Sequence, residues 1–309
     1  MPLRIAVIGV GHLGKHHARI LSSMPGVELV AVVDTHLGRA TEIASEYRTR
    51  PSMDSRELTG KVDAVTIAVP TGIHRELALP FLLAGTPVLV EKPMARSLAE
   101  ADDMIAAAAK AGSVLAVGHT ERFNPAVAVA REHLTDPRFI EVHRLGVFPE
   151  RSLDIDVVFD VMIHDLDVIL SLVKSDVASI DAVGVPVLTK RVDIANVRLR
   201  FANGCMANLT ASRISRDRVR KIRFFQPQAY LSIDYAAQKV EKWTLDKFLG
   251  IPKINGGELP VTHEEPLARE LADFVDAITN RRRPLVAGED GRRALMLAQA
   301  ITDKIAETS

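Results

Sequence analysis

Short apolar runs rich in β-branched residues recur through the first third of the chain, at Arg4–Ile8, Glu28–Val33, Ala64–Val69, Pro87–Val90 and Val114–Val117. Runs of this length, bounded by turn residues, read as strands. Between them, helical patterns begin near Leu13, Leu37, Ile73 and Leu98. Strand–helix alternation of this kind predicts a parallel sheet with crossover helices. Two signals support the boundaries. Pro25–Gly26 closes the first helix, and Ser97 with Glu100 has the S-x-x-E spacing of a capping box at the start of the fourth.

The texture changes from Phe139 onward. Runs become longer and alternate, at Val192–Phe201, Met206–Ala211, Arg218–Phe225 and Tyr230–Asp234, as expected of antiparallel strands with one face covered. Asn203–Gly204 predicts a two-residue hairpin turn with positive φ at both positions. Helical stretches at about Pro266–Thr279 and Asp290–Glu307 close the sequence, and no internal repeat or low-complexity segment is present. The expected fold is α/β: a doubly wound parallel sheet of the Rossmann type over residues 1–121, then an α+β domain with a large, mostly antiparallel sheet over residues 122–309. The closing helices are expected to pack back on the first domain.

Composition narrows the class. The 39 basic and 39 acidic residues cancel, so no global field favours nucleic acid or an anionic membrane, and any anion must be recognised locally. Cys205 is the only cysteine, which precludes an internal disulfide and fits a reducing, cytoplasmic setting. The apolar start Ile5–Val10 is broken by Gly9 and runs into histidines without a cleavage site, and no run approaches the roughly 20 residues that span a bilayer.

Gly9, Gly11 and Gly14 form G-x-G-x-x-G between a predicted strand and a predicted helix, with Asp34 at the end of the next strand. Alone the glycines carry little weight. In this setting they are the dinucleotide fingerprint: a tight turn at Gly9, backbone approach to the pyrophosphate at Gly11, and helix–strand contact at Gly14. His12 and Leu13 complete the phosphate loop. A carboxylate at Asp34 suits two ribose hydroxyls and repels a 2′-phosphate, which favours NAD; Arg39, five residues on, leaves NADP open.

Lys92 follows the apolar strand Val88–Val90 at its carboxyl end, where ligands of open α/β sheets bind. Its ammonium could hydrogen-bond an oxygen that alternates between alcohol and carbonyl; the plain alternative is a surface lysine before a proline turn. A helix over about Val157–Val173 carries Asp160, His164 and Asp167 at spacings that share one face amid apolar neighbours. A solvated Asp–His pair explains that spacing as well as a site does. A metal held by His164 with Asp160 or Asp167 lacks further ligands at suitable spacing, so no metal is expected.

Taken in order, Gly9-x-Gly11-x-x-Gly14, Val69-Pro70-Thr71 with His74, Glu91-Lys92-Pro93, and Asp160-x-x-x-His164-Asp165-x-Asp167 resemble the Gfo/Idh/MocA oxidoreductases. The resemblance implies that Pro70, Thr71, His74, Glu91 and Lys92 border the cofactor, and that Lys92, Asp160 and His164 form the catalytic set. His164 is then the first candidate base, Lys92 stabilises the developing alkoxide, Asp160 supports the pair, and the first two roles are exchangeable.

Phe159, Val161 and Met162 replace the glycines many relatives carry there. With Glu121-Arg122-Phe123-Asn124-Pro125, this stretch is most similar to the branch acting on nucleotide-linked amino sugars, the UDP-N-acetylglucosamine 3-dehydrogenases of lipid A synthesis. Arg122, Arg151 and Arg213 are candidate diphosphate contacts, each also readable as solvated charge. Asn124 is a candidate substrate contact or the N-cap before Pro125. The basic run from Arg216 to Arg223 reads as one face of an exposed strand, and His12, His16 and His17 read as loop or exposed helix residues. The alternatives are a dehydrogenase of a free polyol, aldose or dihydrodiol, and a non-catalytic dinucleotide-binding regulator. Uncovered sheet surface in the second domain predicts a homodimer or homotetramer.

Overall fold

The computed structural model describes residues 1–148, 155–248 and 251–308. In chain order the elements are β1 (Leu3–Ile8), α1 (Gly14–Ser23), β2 (Val27–Val33), α2 (Leu37–Glu46), β3 (Arg50–Ser52), β4 (Ala64–Ile67), α3 (His74–Leu83), β5 (Val88–Glu91), α4 (Leu98–Ala111) and β6 (Leu115–Gly118). There follow α5 (Pro125–His133), β7 (Phe139–Leu145), a π-helical turn (Val158–Met162) continued by α6 (Ile163–Leu172), β8 (Val177–Val185), β9 (Ile194–Phe201), β10 (Met206–Ser212) and β11 (Val219–Gln226). The chain ends with β12 (Ala229–Asp234), β13 (Lys239–Phe248), β14 (Ile251–Leu259), α7 (Pro266–Thr279) and α8 (Gly288–Thr308). Two compact units result, Met1–Thr120 with Leu267–Leu295, and Glu121–Pro266 with Met296–Ser309.

The first unit holds a parallel sheet of order β3-β2-β1-β4-β5-β6. This is the Rossmann order, and the strand sequence reverses between β1 and β4. Every residue of β4, β5 and β6 is buried, because a parallel sheet is covered on both faces and its strands have no solvent side. Helix α7 belongs to this unit: Leu271 and Phe274 join Ile5, Val7, Leu21 and Leu89 in one core cluster. Burying each of those two side chains contributes about 1.5–3 kcal/mol.

The second unit is an eight-stranded sheet of order β14-β13-β12-β11-β7-β10-β9-β8. All its pairs are antiparallel except β7 with β10. Burial alternates along β7 and β9, as in a sheet covered on one side. The inner face presents Ile140, Val142, Val197, Leu199, Leu209, Ile222, Phe224 and Leu231, all buried; α5 packs on β12 and β13, and the π turn packs on β10. No helix among the described residues is long and apolar enough to cross a membrane.

Three local expectations change. The Asn203–Gly204 hairpin forms, but only Gly204 has positive φ, at 87°. The Gly204 amide donates to Phe201 O and the Phe201 amide to Cys205 O, which makes a three-residue loop closed by a left-handed glycine. Ser97 caps α4 through the Glu100 amide, but the return bond from Glu100 goes to the Arg96 amide, one residue before the cap. The helix expected over 157–173 is split, with a π turn before α6. Strands β3, β8, β13 and β14 add to those expected.

Candidate active site

The carboxyl ends of β1 and β4 flank the glycine loop. Gly9 has φ 84°, and a Cβ there would lie 2.5 Å from the Ala68 carbonyl oxygen; a Cβ on Gly14 would lie 1.7 Å from the Gly9 oxygen. Helix α1 therefore begins directly against the loop, an approach that requires glycine. A Cβ on Gly11 would meet nothing within 4 Å, so its backbone borders open space. No side chain caps α1 among the described residues, and its amino end offers amide groups and a positive dipole end to an anion. These features fit a pyrophosphate. His12 and Leu13 are exposed beside it.

Asp34, 8% exposed, accepts from the Val10 amide at 3.1 Å and the His36 amide at 2.9 Å. The same carboxylate that the sequence assigns to the ribose thus also ties down the glycine loop. Arg39 Nη1 stands 3.3 Å from both its oxygens.

Lys92 is half-buried after β5, and the Lys92–Pro93 peptide is cis. His74, at the start of α3, is fully buried between two backbone carbonyls: Nε2 lies 2.8 Å from Val69 O and Nδ1 3.1 Å from Pro93 O. His74 therefore braces the loop after β4 against the turn holding Lys92. Burial pushes its pKa below the ordinary value, against the pull of the Val69 carbonyl and Glu91. Pro70 is exposed and Thr71 half-buried at the same strand end.

Glu91 points inward. Its carboxylate accepts from His17 Nε2 at 3.0 Å and from the Lys92 amide at 3.2 Å. Burial alone would raise this carboxyl; His17 and Lys92 hold it below its ordinary value. His17, expected on an exposed helix face, is fully buried, because the apolar stripe of α1 turns it towards β5. Glu270 of α7 joins them, and the three potential ligand atoms lie within 4.8 Å of one another.

In the second unit, Asp160 sits in the π turn and His164 in the first turn of α6, both half-buried. Asp167, expected on their face, is instead 1% exposed and receives Arg122 in a two-pronged pair, Nε–Oδ2 at 2.8 Å and Nη2–Oδ1 at 2.6 Å. The adjoining Asp165 is equally buried and takes Arg144 in the same fashion, at 2.6 and 2.9 Å. Arg144 also donates to Glu121 at 2.9 Å and lies 5.0 Å from the Tyr235 ring centre. Burial opposes the charge on Arg144, but Asp165 and Glu121 outweigh it and raise its pKa.

The start of this helix is clasped separately. Arg213 Nε donates to Asp193 at 2.8 Å, its Nη1 to the Ile155 carbonyl at 2.6 Å, and Asp156 accepts from the Val192 amide at 3.0 Å. Asp193 also accepts from the amides of Val187, Leu188 and Thr189; these bonds and Arg213 hold its pKa well below the usual carboxylate value despite burial.

Arg122 and Arg213 thus serve buried carboxylates. Asn124 caps α5 through the Ala126 amide and donates to Tyr235 O, the capping alternative of the sequence reading. Arg151 lies outside the described residues. Sequence reasoning missed the roles of His17, Arg144, Asp165 and Asp193. Two acids flanking one leucine on an apolar helix, Asp165-Leu166-Asp167, were the available hint, since buried carboxylates need cations. Cys205 is buried, which pushes its thiol pKa up to about 11.

A Rossmann sheet with an open glycine loop at its switch point defines a dinucleotide-binding protein. The chain belongs to the Gfo/Idh/MocA family: residues 3–119 match the oxidoreductase family's NAD-binding Rossmann fold, and residues 126–226 the GFO/IDH/MocA C-terminal domain. It is 38% identical to a UDP-N-acetylglucosamine 3-dehydrogenase of Acidithiobacillus ferrooxidans over 96% of this chain and 95% of that one. A solved structure of that enzyme from the same organism superposes with a TM-score of 0.92 at 36% identity, covering 99% of this chain and 98% of the other. An inositol 2-dehydrogenase of Rhizobium meliloti is 26% identical over 99% of this chain and 98% of its own length. The protein is an NAD-binding oxidoreductase.

Proposed function

We propose that the protein oxidises the sugar of a nucleotide-linked amino sugar, with the 3-hydroxyl of UDP-N-acetylglucosamine as the reacting group. The observation that carries this reading is the 38% identity to a UDP-N-acetylglucosamine 3-dehydrogenase, sustained over 96% of the chain. NAD, when bound, accepts the hydride from the carbinol carbon. The chain's own side chains then handle the proton and the developing charge. His164 removes the hydroxyl proton, as an imidazole whose ordinary pKa lies near neutrality. Lys92 donates to the oxygen as it gains negative charge. Asp160, one turn before His164, supports the imidazolium that forms. Arg122 and Asn124 act on the substrate side through the helix and loop they hold, and the pathway served is lipid A synthesis in the cytoplasm.

The test is NADH formation with a substrate panel. UDP-N-acetylglucosamine should exceed myo-inositol and free N-acetylglucosamine in kcat/KM by about 100-fold or more, since polar groups of the site go unpaired with the smaller compounds. Turnover of inositol with none of the UDP-sugar would overturn the assignment.

The outer face of the large sheet supports a homo-oligomer. Phe139, Phe225 and Tyr230 lie in register across β7, β11 and β12 with tilted rings whose centres are 5.5 and 5.2 Å apart, and Trp243 continues the row on β13. A second copy of the chain is the proposed cover, and light scattering after size exclusion tests it: a concentration-independent monomer would refute it.

A further inference from the structure

The basic run after β10 does not form a single strand face. Val219, Lys221, Arg223 and Phe225 share the outer face of β11, where Lys221 pairs with Asp234 and Arg223 with Glu141. Arg220 has the opposite parity and lies on the inner face with Ile222 and Phe224. Those two are fully buried, yet Arg220 is exposed. The helical cover of the inner face therefore stops short of this end of β11. Arg216 and Arg218, on the loop leading into β11, are exposed as well, and none of the three side chains has an ion pair among the described residues. Four other arginines of this unit, Arg122, Arg144, Arg213 and Arg223, each hold a carboxylate instead.

Two independent ties connect this run to the helix bearing Asp160 and His164. Arg213, at the start of the same loop, donates to Ile155 O, just before the π turn. Arg220 stands in register opposite Arg144, which grips Asp165, the residue after His164. In a nucleotide-linked sugar the reacting hydroxyl and the glycosyl phosphate are on one pyranose ring. The diphosphate must therefore be held within about a ring's width of the groups that remove the proton. Guanidinium forks suit such oxygens, and unpaired ones at the start of β11 need no partner displaced before they bind.

We propose that Arg220, with Arg216 and Arg218, forms the subsite for the diphosphate of the substrate. This rests on the reading of the substrate as a nucleotide-linked sugar. The experiment compares wild type, Arg220→Gln and the triple Arg216→Gln, Arg218→Gln, Arg220→Gln, using UDP alone in calorimetry and UDP-N-acetylglucosamine in turnover. The subsite predicts a KM for the UDP-sugar raised about tenfold in the single variant and further in the triple, with kcat within about twofold and UDP binding lost. Affinity for NAD and the melting temperature should stay unchanged, since the three side chains are exposed, and Arg220→Lys should fall between. If wild type turns over the UDP-sugar and both variants keep its KM and UDP affinity, the subsite is refuted and the substrate reading survives. If wild type neither binds UDP nor oxidises the UDP-sugar, both are overturned.

Discussion

In the parallel-sheet unit, the groups proposed to meet the dinucleotide are mainly backbone: glycines 9, 11 and 14, the amino end of α1, and a turn braced by His74 between two carbonyls. In the antiparallel unit, the side chains proposed to serve the substrate ride on a helix held by guanidinium–carboxylate pairs at Arg122–Asp167, Arg144–Asp165 and Arg213–Asp193. The first arrangement tolerates no added atoms at Gly9 or Gly14. The second tolerates no lost charge, because removing one partner of a buried pair strands the other. A cofactor shared by many enzymes suits a site made of backbone, whereas a site made of side chains can be rebuilt for a new substrate without disturbing the first.

The largest departure from that division is Lys92, proposed as a chemical side chain on the backbone-built unit. Lys92→Ala should lower kcat by about 10²–10⁴-fold, the range for losing a group that assists proton transfer or charge stabilisation. NAD affinity, read by fluorescence titration, should change less than about twofold. A variant that keeps full turnover would remove Lys92 from the chemistry.

Next in size is the charge framework. Arg144→Met leaves Asp165 and Glu121 facing each other in a buried space, and should cost about 3–5 kcal/mol in denaturant unfolding. Combining it with Asp165→Leu should recover part of that loss. If the single variant unfolds at the wild-type midpoint, the pairs are not what holds the helix.

This contrast explains what could be read from the sequence. The parallel-sheet unit was legible because its signals are local: β-branched runs, three glycines and an acid at fixed spacing. Helix α7 was legible too, since its apolar period bounds it at Pro266–Thr279. The buried pairs were not, because each joins residues far apart in sequence: Arg144 and Asp165 are 21 positions apart, Arg122 and Asp167 45. An arginine bound for a buried carboxylate looks like one bound for phosphate until the strands are paired. Hence Arg213 reads from the sequence as a diphosphate contact or a solvated charge, and Arg220 as part of a solvated face. Strands β13 and β14 carry Lys, Glu, Asp and Gly at half their positions, and their pattern is too polar to announce a sheet.

Smaller effects separate the glycines. Gly14→Ala should lower both the melting temperature and NAD affinity, since its methyl would fall 1.7 Å from the Gly9 oxygen. Gly11→Ala faces open space, so it should leave stability unchanged while weakening NAD about tenfold through the pyrophosphate's close approach. If both variants lose only stability, the loop does not hold the phosphates. Acidification adds a further test at His74, whose folded pKa is depressed by burial. The unfolded imidazole takes up its proton first, near pH 6.5. Stability is therefore complete above that pH and declines as pH falls towards the lower folded value. Urea midpoints across this window should slope less in His74→Asn than in wild type.

The smallest expected effect tests the turn between β9 and β10. Gly204 holds φ at 87°, a region that costs an L-residue about 1 kcal/mol, so Gly204→Ala should lower stability by about that amount. Asn203 has ordinary φ, and its side chain accepts from the Cys205 amide at 3.1 Å, a partly buried contact whose loss is worth about 0.5 kcal/mol. In a two-residue turn with both central residues left-handed, Asn203→Ala would be penalised as heavily as Gly204→Ala. The ratio of the two costs, measured from urea midpoints, therefore distinguishes the turns. A clear excess for Gly204 supports the three-residue loop, and equal costs would show that the hairpin closes in the register the Asn-Gly pair alone predicts.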